Sequence, residues 1–167
     1  IELEHVAEVF RTGDISIRWM NWERGVIRNL YNYEHGKPLP PRERIFRGED
    51  DPAAKVLIHR MTRVMNSRAE QVAAGLTGPA PGTDWAHCLL ASPIVAGDRV
   101  LGMIVLEDHE RENAFGESQV RLVQTVATGL GAALENARLF DETQRLLKET
   151  EQRSSELAVI NSIQQGI

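Results

Sequence analysis

The stretch CLLASPIVAGDRVLGMIVLED, Cys88 to Asp108, decides how the chain is read. It holds two apolar runs around Ala96-Gly97-Asp98-Arg99. Gly97-Asp98 has the chemistry of a two-residue hairpin turn, so the runs are expected to be two antiparallel strands. Both runs are apolar on both faces. Such strands lie in the middle of a sheet, either covered on two sides or covered on one side and lining a pocket on the other.

Toward the N-terminus the same signal recurs in a weaker form. Ile15 to Trp19 alternates and is rich in β-branched residues, Asn21 to Gly25 forms a turn, and Val26 to Tyr33 is a second extended run, which together predict another hairpin. Ile1 to Phe10 places Leu3, Val6, Ala7 and Phe10 on one helical face. His35 to Arg44 carries three prolines and is expected to be irregular. After Asp51 as N-cap and Pro52 in the first turn, AAKVLIHRMTRVM is expected to be helical. Ser67 to Gly75 adds a short helical piece, and Gly75 to Asp84 is a glycine- and proline-rich loop.

From about Gly116 the chain reads as one helix, which at about 1.5 Å per residue spans ~70 Å. Val120, Val123, Ala127, Leu130, Leu134 and Ala137 form an apolar stripe that suits packing on the sheet. Leu122, Thr125, Gly129, Ala132, Asn136, Leu139, Thr143 and Leu146 follow a second line at alternating steps of three and four, as in a heptad seam. The two lines sit about 200° apart on the helix. The second is read as the face for a partner helix in parallel register, the alternative being a solvated face.

At 167 residues the chain suggests one domain with an appendage. Apolar content of 42 % and charged content of 26 % are those of a globular protein. A net charge of −5 with no basic cluster argues against nucleic acid as a partner. No apolar run is long enough for a membrane span, and no signal peptide is visible. The single cysteine, Cys88, excludes an internal disulfide framework and fits a reducing, cytoplasmic setting. A start at Ile1 and an end within a helical pattern read as a segment of a longer protein.

Ala91 to Thr143 strongly resembles the C-terminal half of a GAF domain, through Pro93, the GDRVLG turn and strand, Ala114-Phe115 and ALENARLFDET. GDISIRWMNWERGVIRNLYNYEHGK resembles the first GAF hairpin, and SRAEQVAAG the segment after the middle helix. RLLKETEQRSSELAVINSIQQGI is similar to the helix joining successive GAF repeats in bacterial signalling proteins. The resemblance covers about residues 3 to 143. It implies an α+β, PAS-related fold: a central antiparallel sheet of about six strands, helices on one face, loops and short helices on the other, and a long C-terminal helix. The domain is expected over residues 1–140, with a coiled-coil linker over 141–167. The implied role is a cytoplasmic sensor that binds a small molecule, forms a homodimer through its terminal helix, and signals to a histidine kinase or nucleotide cyclase. A ligand-free dimerisation spacer is the alternative.

The ligand is less legible. Ser16 and Arg18 share one face of the first strand, while Ile15, Ile17 and Trp19 share the other. Placing the more apolar strand faces against the helices points Arg18, Ser92 and Cys88 into the pocket, with Tyr31, Tyr33, Trp85 and His87 as an aromatic wall with polar tips. Ordinary packing or exposure is the alternative for each. A buried arginine needs an anion from the protein or from a ligand, which makes Arg18 the sharpest candidate. Bilin attachment in GAF photoreceptors suggests Cys88, but the local order is His87-Cys88, and a small buried hydrophobe is the preferred reading. Haem through His87 is not favoured. Gln119-Val120 stands where cyclic-nucleotide-binding GAF domains carry an acidic pair, which argues against that ligand. His5, His35, His59, His87 and His109 show no metal-ligand spacing within a shared element. No catalytic pairing is visible, so no enzyme activity is expected.

Overall fold

The computed structural model describes residues 14–166. The amphipathic stretch Ile1 to Phe10 lies outside the described residues. Two compact units are present, one reaching Ala132 and one from Ala133 onward.

The first unit is built on a seven-stranded antiparallel sheet. Its strands are β1 (Ile15–Asn21), β2 (Val26–Glu34), β3 (Lys37–Pro38), β4 (Arg42–Ile45), β5 (Arg63–Met65), β6 (Cys88–Ala96) and β7 (Arg99–Asp108). They run in the order β3-β2-β1-β7-β6-β5, with β4 also paired to β2. The helices are α1 (Ala54–Leu57), α2 (Arg68–Ala73) and α3 (Glu117–Gln165). Both expected hairpins form. Ala96 pairs with Arg99 across Gly97-Asp98, and Gly97 takes the positive φ of 61° that the tight turn requires.

Three segments differ from expectation. The helix foreseen over 53–65 shrinks to the single turn α1, because Arg60 adopts a φ of +56° and the chain then extends. Arg63–Met65 instead pairs with β6, whose outer edge would otherwise be open. Arg42–Ile45 lies beyond the prolines that mark its neighbourhood as irregular, and it pairs with β2 from Val26 to Asn29. In both strands a waiting sheet edge outweighs weak local propensity.

The sheet separates two layers. Registry places Ser16, Arg18 and Met20 of β1 on the same face as Met103, Val105 and Glu107 of β7 and Leu89 and Ala91 of β6. On this face Val56 and Leu57 of α1 pack with Met20, Ile27, Ala91, Met103 and Val105. Full burial of each such aliphatic side chain contributes about 1.5–3 kcal/mol. The opposite face presents Ile15, Ile17, Leu90, Ile94, Ile104 and Leu106, all buried. Val123, Ala127, Leu130 and Gly131 are the buried positions of α3. A Cβ at Gly131 would stand 2.0 Å from the Val95 carbonyl oxygen, so helix and strand touch backbone to backbone there. Leu122, Thr125, Gly129 and Ala132 are exposed, as are Asn136, Leu139, Thr143 and Leu146.

A bulge turns β2 toward the first face. Ile17 pairs with Tyr31 but Arg18 pairs with Asn29, which leaves Leu30 as the extra residue. Asn29 and Asn32 consequently both reach the Arg18 side.

Candidate functional site

A cavity of about 380 Å³ opens over the α1 face of the sheet. That volume lies within the range of about 300–1,000 Å³ usual for small-molecule sites. Arg18, Met103, Val105, Glu107, Leu89 and Ala91 form its floor. The loop from Gly75 to Ala86 forms one wall and is fastened by α2. There the buried Gln71 accepts from Trp85 Nε1 at 2.9 Å and donates to the Ala86 carbonyl at 3.1 Å. Arg68 donates to the Trp85 carbonyl at 2.7 Å, with its guanidinium 5.6 Å from the indole ring centre.

Arginine dominates the charge of the cavity. Arg18, Arg42, Arg44, Arg47 and Arg63 line it, against two carboxylates, Asp84 and Glu107. Arg18 donates to Ser16 Oγ at 3.0 Å and to Glu107 Oε1 at 3.3 Å. Burial lowers its pKa from the ordinary guanidinium value, and the neighbouring Glu107 opposes that shift. Arg44 is committed to Asp51 through two bonds of 2.6 and 2.9 Å. Asp51 also accepts the Arg47 and Ala53 amides at 3.1 and 2.9 Å. Burial pushes the Asp51 carboxyl up, but Arg44 and the two amides outweigh it and hold the group below the usual carboxylate value. Arg42, Arg47 and Arg63 make no side-chain hydrogen bond or ion pair among the described residues. Arg42 Nη1 is moreover fully buried without a hydrogen-bond partner. Guanidinium groups grip carboxylates and phosphates through paired N–H donors, and Asn29 and Asn32 add amides to the rim.

The GAF domain family matches residues 3–136. The chain belongs to the GAF domain family. The GAF domain of PixJ from Thermosynechococcus elongatus, in its blue-light absorbing form, superposes with a TM-score of 0.63 at 13 % identity, covering 87 % of this chain and 88 % of that one. The GAF domain of the Acinetobacter phosphoenolpyruvate-protein phosphotransferase gives 0.57 at 11 % identity over 83 % and 80 % of the two chains. The red/green cyanobacteriochrome NpR6012g4 in its green light-absorbing state gives 0.58 at 16 % identity over 83 % and 92 %. No curated protein matches the sequence.

Of the seven pocket residues expected from the sequence, Arg18 and Trp85 line the cavity of this GAF domain, and Tyr31, Tyr33, His87, Cys88 and Ser92 do not. The face of β6 is inverted relative to expectation. Leu89 and Ala91 look into the cavity, while Cys88 and Ser92 alternate with them onto the α3 side. Ser92 Oγ is satisfied there by Thr62 Oγ1 at 2.9 Å. Cys88 is fully buried, its Sγ 3.2 Å from the Arg111 carbonyl, and burial pushes the thiol pKa up. Tyr31 and Tyr33 pair with Ile17 and Ile15 and stack on each other at 4.8 Å, on the same far side. His87 lies half-buried ahead of β6, its amide bonded to the Asp108 carbonyl at 2.8 Å. Arg42, Arg44, Arg47 and Arg63 were not foreseen. Their one sequence signal is the density of RERIFR at residues 42–47.

Proposed function

We propose that this GAF domain is a regulatory sensor module that takes a small anionic molecule, a carboxylate or a phosphate ester, into the arginine-lined cavity. The observation that carries this reading is the surplus of arginines over carboxylates around the cavity, with the buried Arg42 Nη1 lacking a partner. The lining contains no cysteine, histidine, serine or lysine among the described residues, which favours binding over catalysis. Two structural neighbours are light-absorbing proteins by name. Cys88 is fully buried and stands outside the cavity lining, on the other face of β6, which argues against a thiol-linked chromophore in this one. Binding is relayed into α3, whose exposed seam pairs two copies and carries the change toward a kinase or cyclase domain. A weak seam with Asn136 and Thr143 among its steps suits a helix that changes register.

The test is a thermal melt and calorimetric titration with succinate, glycerol phosphate and inorganic phosphate, with succinamide as the uncharged control. At a hundred times Kd, a bound ligand adds about 2.7 kcal/mol, which raises Tm by about 5–10 °C for a chain of this length. Succinamide is expected to do nothing, and Arg42→Gln to weaken the binding anion at least tenfold. If none of these anions shifts Tm, the ligand-free spacer reading replaces the sensor.

A further inference from the structure

At one end of the sheet, joined to the arginine-lined cavity through Glu107, five chemistry-bearing side chains meet: Asp14 before β1, Glu34 and His35 at the end of β2, and Glu107 and His109 at the end of β7. Strand pairing brings them together, since Ile15 lies opposite both Tyr33 and Leu106 and the Glu107 amide donates to the Asp14 carbonyl at 3.0 Å. The His109 side chain is only 5 % exposed and stands 3.0 Å through Nδ1 from Asp14 Oδ2. An ionised carboxylate only accepts, so Nδ1 carries the proton, and in the neutral ring Nε2 is the atom with the lone pair. Nε2 is buried and has no hydrogen-bond partner. The buried Glu34 Oε2 lies 4.0 Å from it, too far for a hydrogen bond. His35 Nε2 pairs with Asp84 Oδ2 at 2.9 Å and lies 4.0 Å from the other Glu34 oxygen, and the two imidazole centres are 4.8 Å apart. Glu34, Glu107 and His109 each offer one ligand atom within 4.8 Å of the others.

We propose that His109 Nε2, Glu34 and Glu107 hold one divalent transition-metal cation, zinc being the member of that class that suits them, with His35 closing the set from the rim. A tetrahedral zinc with bonds of about 2.1 Å keeps its ligand atoms roughly 3.4 Å apart, which small rotamer changes reach from the separations observed. Imidazole donors exclude magnesium and calcium as the preferred ion. The Asp14 carboxylate on Nδ1–H is the outer partner that metal-bound histidines commonly use to fix ring and tautomer. The rival occupant is a proton, which makes His109 an imidazolium between Asp14 and Glu34.

Protein stripped with chelator is titrated calorimetrically with zinc sulfate alone, and cobalt is substituted to read its visible absorption. The expected result is one ion per chain, a tetrahedral cobalt spectrum, and at least tenfold weaker binding in Glu34→Gln and in His109→Gln. His35→Gln removes only an exposed pair with Asp84, so it moves the apoprotein melt little and still weakens zinc severalfold, and the site is testable even where a buried variant misfolds. His59→Gln, whose imidazole pairs with Glu49 elsewhere, is expected to leave binding unaltered. Absence of saturable zinc binding, or equal binding in Glu34→Gln, His35→Gln and the parent protein, overturns the proposal in favour of the imidazolium.

Discussion

At the scale of single residues, Asp51 ties the arginine-bearing strand β4 to the first short helix. Its side chain is 0 % exposed, and its two oxygens take four donors, two from Arg44 and one each from the Arg47 and Ala53 amides. Replacing it with asparagine removes the charge and at least one of the Arg44 bonds, while Arg44 itself can turn to water. Asp51→Asn is therefore expected to lower stability by about 1–3 kcal/mol in urea unfolding at pH 7. The carboxyl pKa is depressed in the fold, so the charge contributes fully above the unfolded value of about 4 and is lost as pH falls through the lower folded value. The gap between parent and variant is thus expected to shrink steadily below pH 4. A gap that stays constant from pH 7 to pH 2.5 would show that the ion pair carries no net stability.

At the scale of elements, two glycines two residues apart in α3 have opposite roles. A Cβ at Gly129 meets nothing within 4 Å, whereas one at Gly131 drives into the Val95 carbonyl. Gly129→Ala is expected to raise the melting free energy of the single chain by about 0.5–1 kcal/mol through helix propensity. Gly131→Ala is expected to cost about 1–3 kcal/mol, read by the same denaturant titration. The helix itself was legible, because long uninterrupted periodicity survives any tertiary context. The two hairpins were legible too, since Gly97 and the Asn21–Gly25 turn fix them locally. β4 and β5 were not, because their strand state is decided by β2 and β6, far off in sequence. The cavity face of β6 was misread for a related reason: Ser92 marks its set as the more polar one, yet Thr62, far off in sequence, satisfies its hydroxyl on the other side of the sheet, so polarity pointed to the wrong face. Arg18 could be found because it is a charge in phase with Ser16 on the less apolar face of an alternating strand. The His109 cluster could not, because its members lie up to 95 residues apart and only the pairing of β1, β2 and β7 joins them.

At the scale of the whole molecule, α3 presents Leu139 and Leu146 at 47 % and 48 % exposure along the seam expected to pair two copies. Changing both to glutamate places like charges face to face in a parallel pair, so sedimentation velocity is expected to show dimer association at least tenfold weaker, with the melt of the sheet domain unmoved. Equal sedimentation of parent and variant would remove the seam from the signalling route. The sheet domain also contains a link between its two proposed sites. Glu107 supports Arg18 at the cavity floor through a 3.3 Å contact and is a ligand at the metal cluster. A cation that draws on the Glu107 carboxylate weakens its hold on Arg18 and leaves that guanidinium more available to an anion in the cavity. Zinc is then expected to tighten succinate binding by about fivefold or more, and thermodynamic reciprocity requires succinate to tighten zinc by the same factor. Paired calorimetric titrations, each ligand with and without saturating amounts of the other, read both factors. Unequal factors would expose a second zinc site, and factors near one would mean that the Glu107–Arg18 contact transmits nothing.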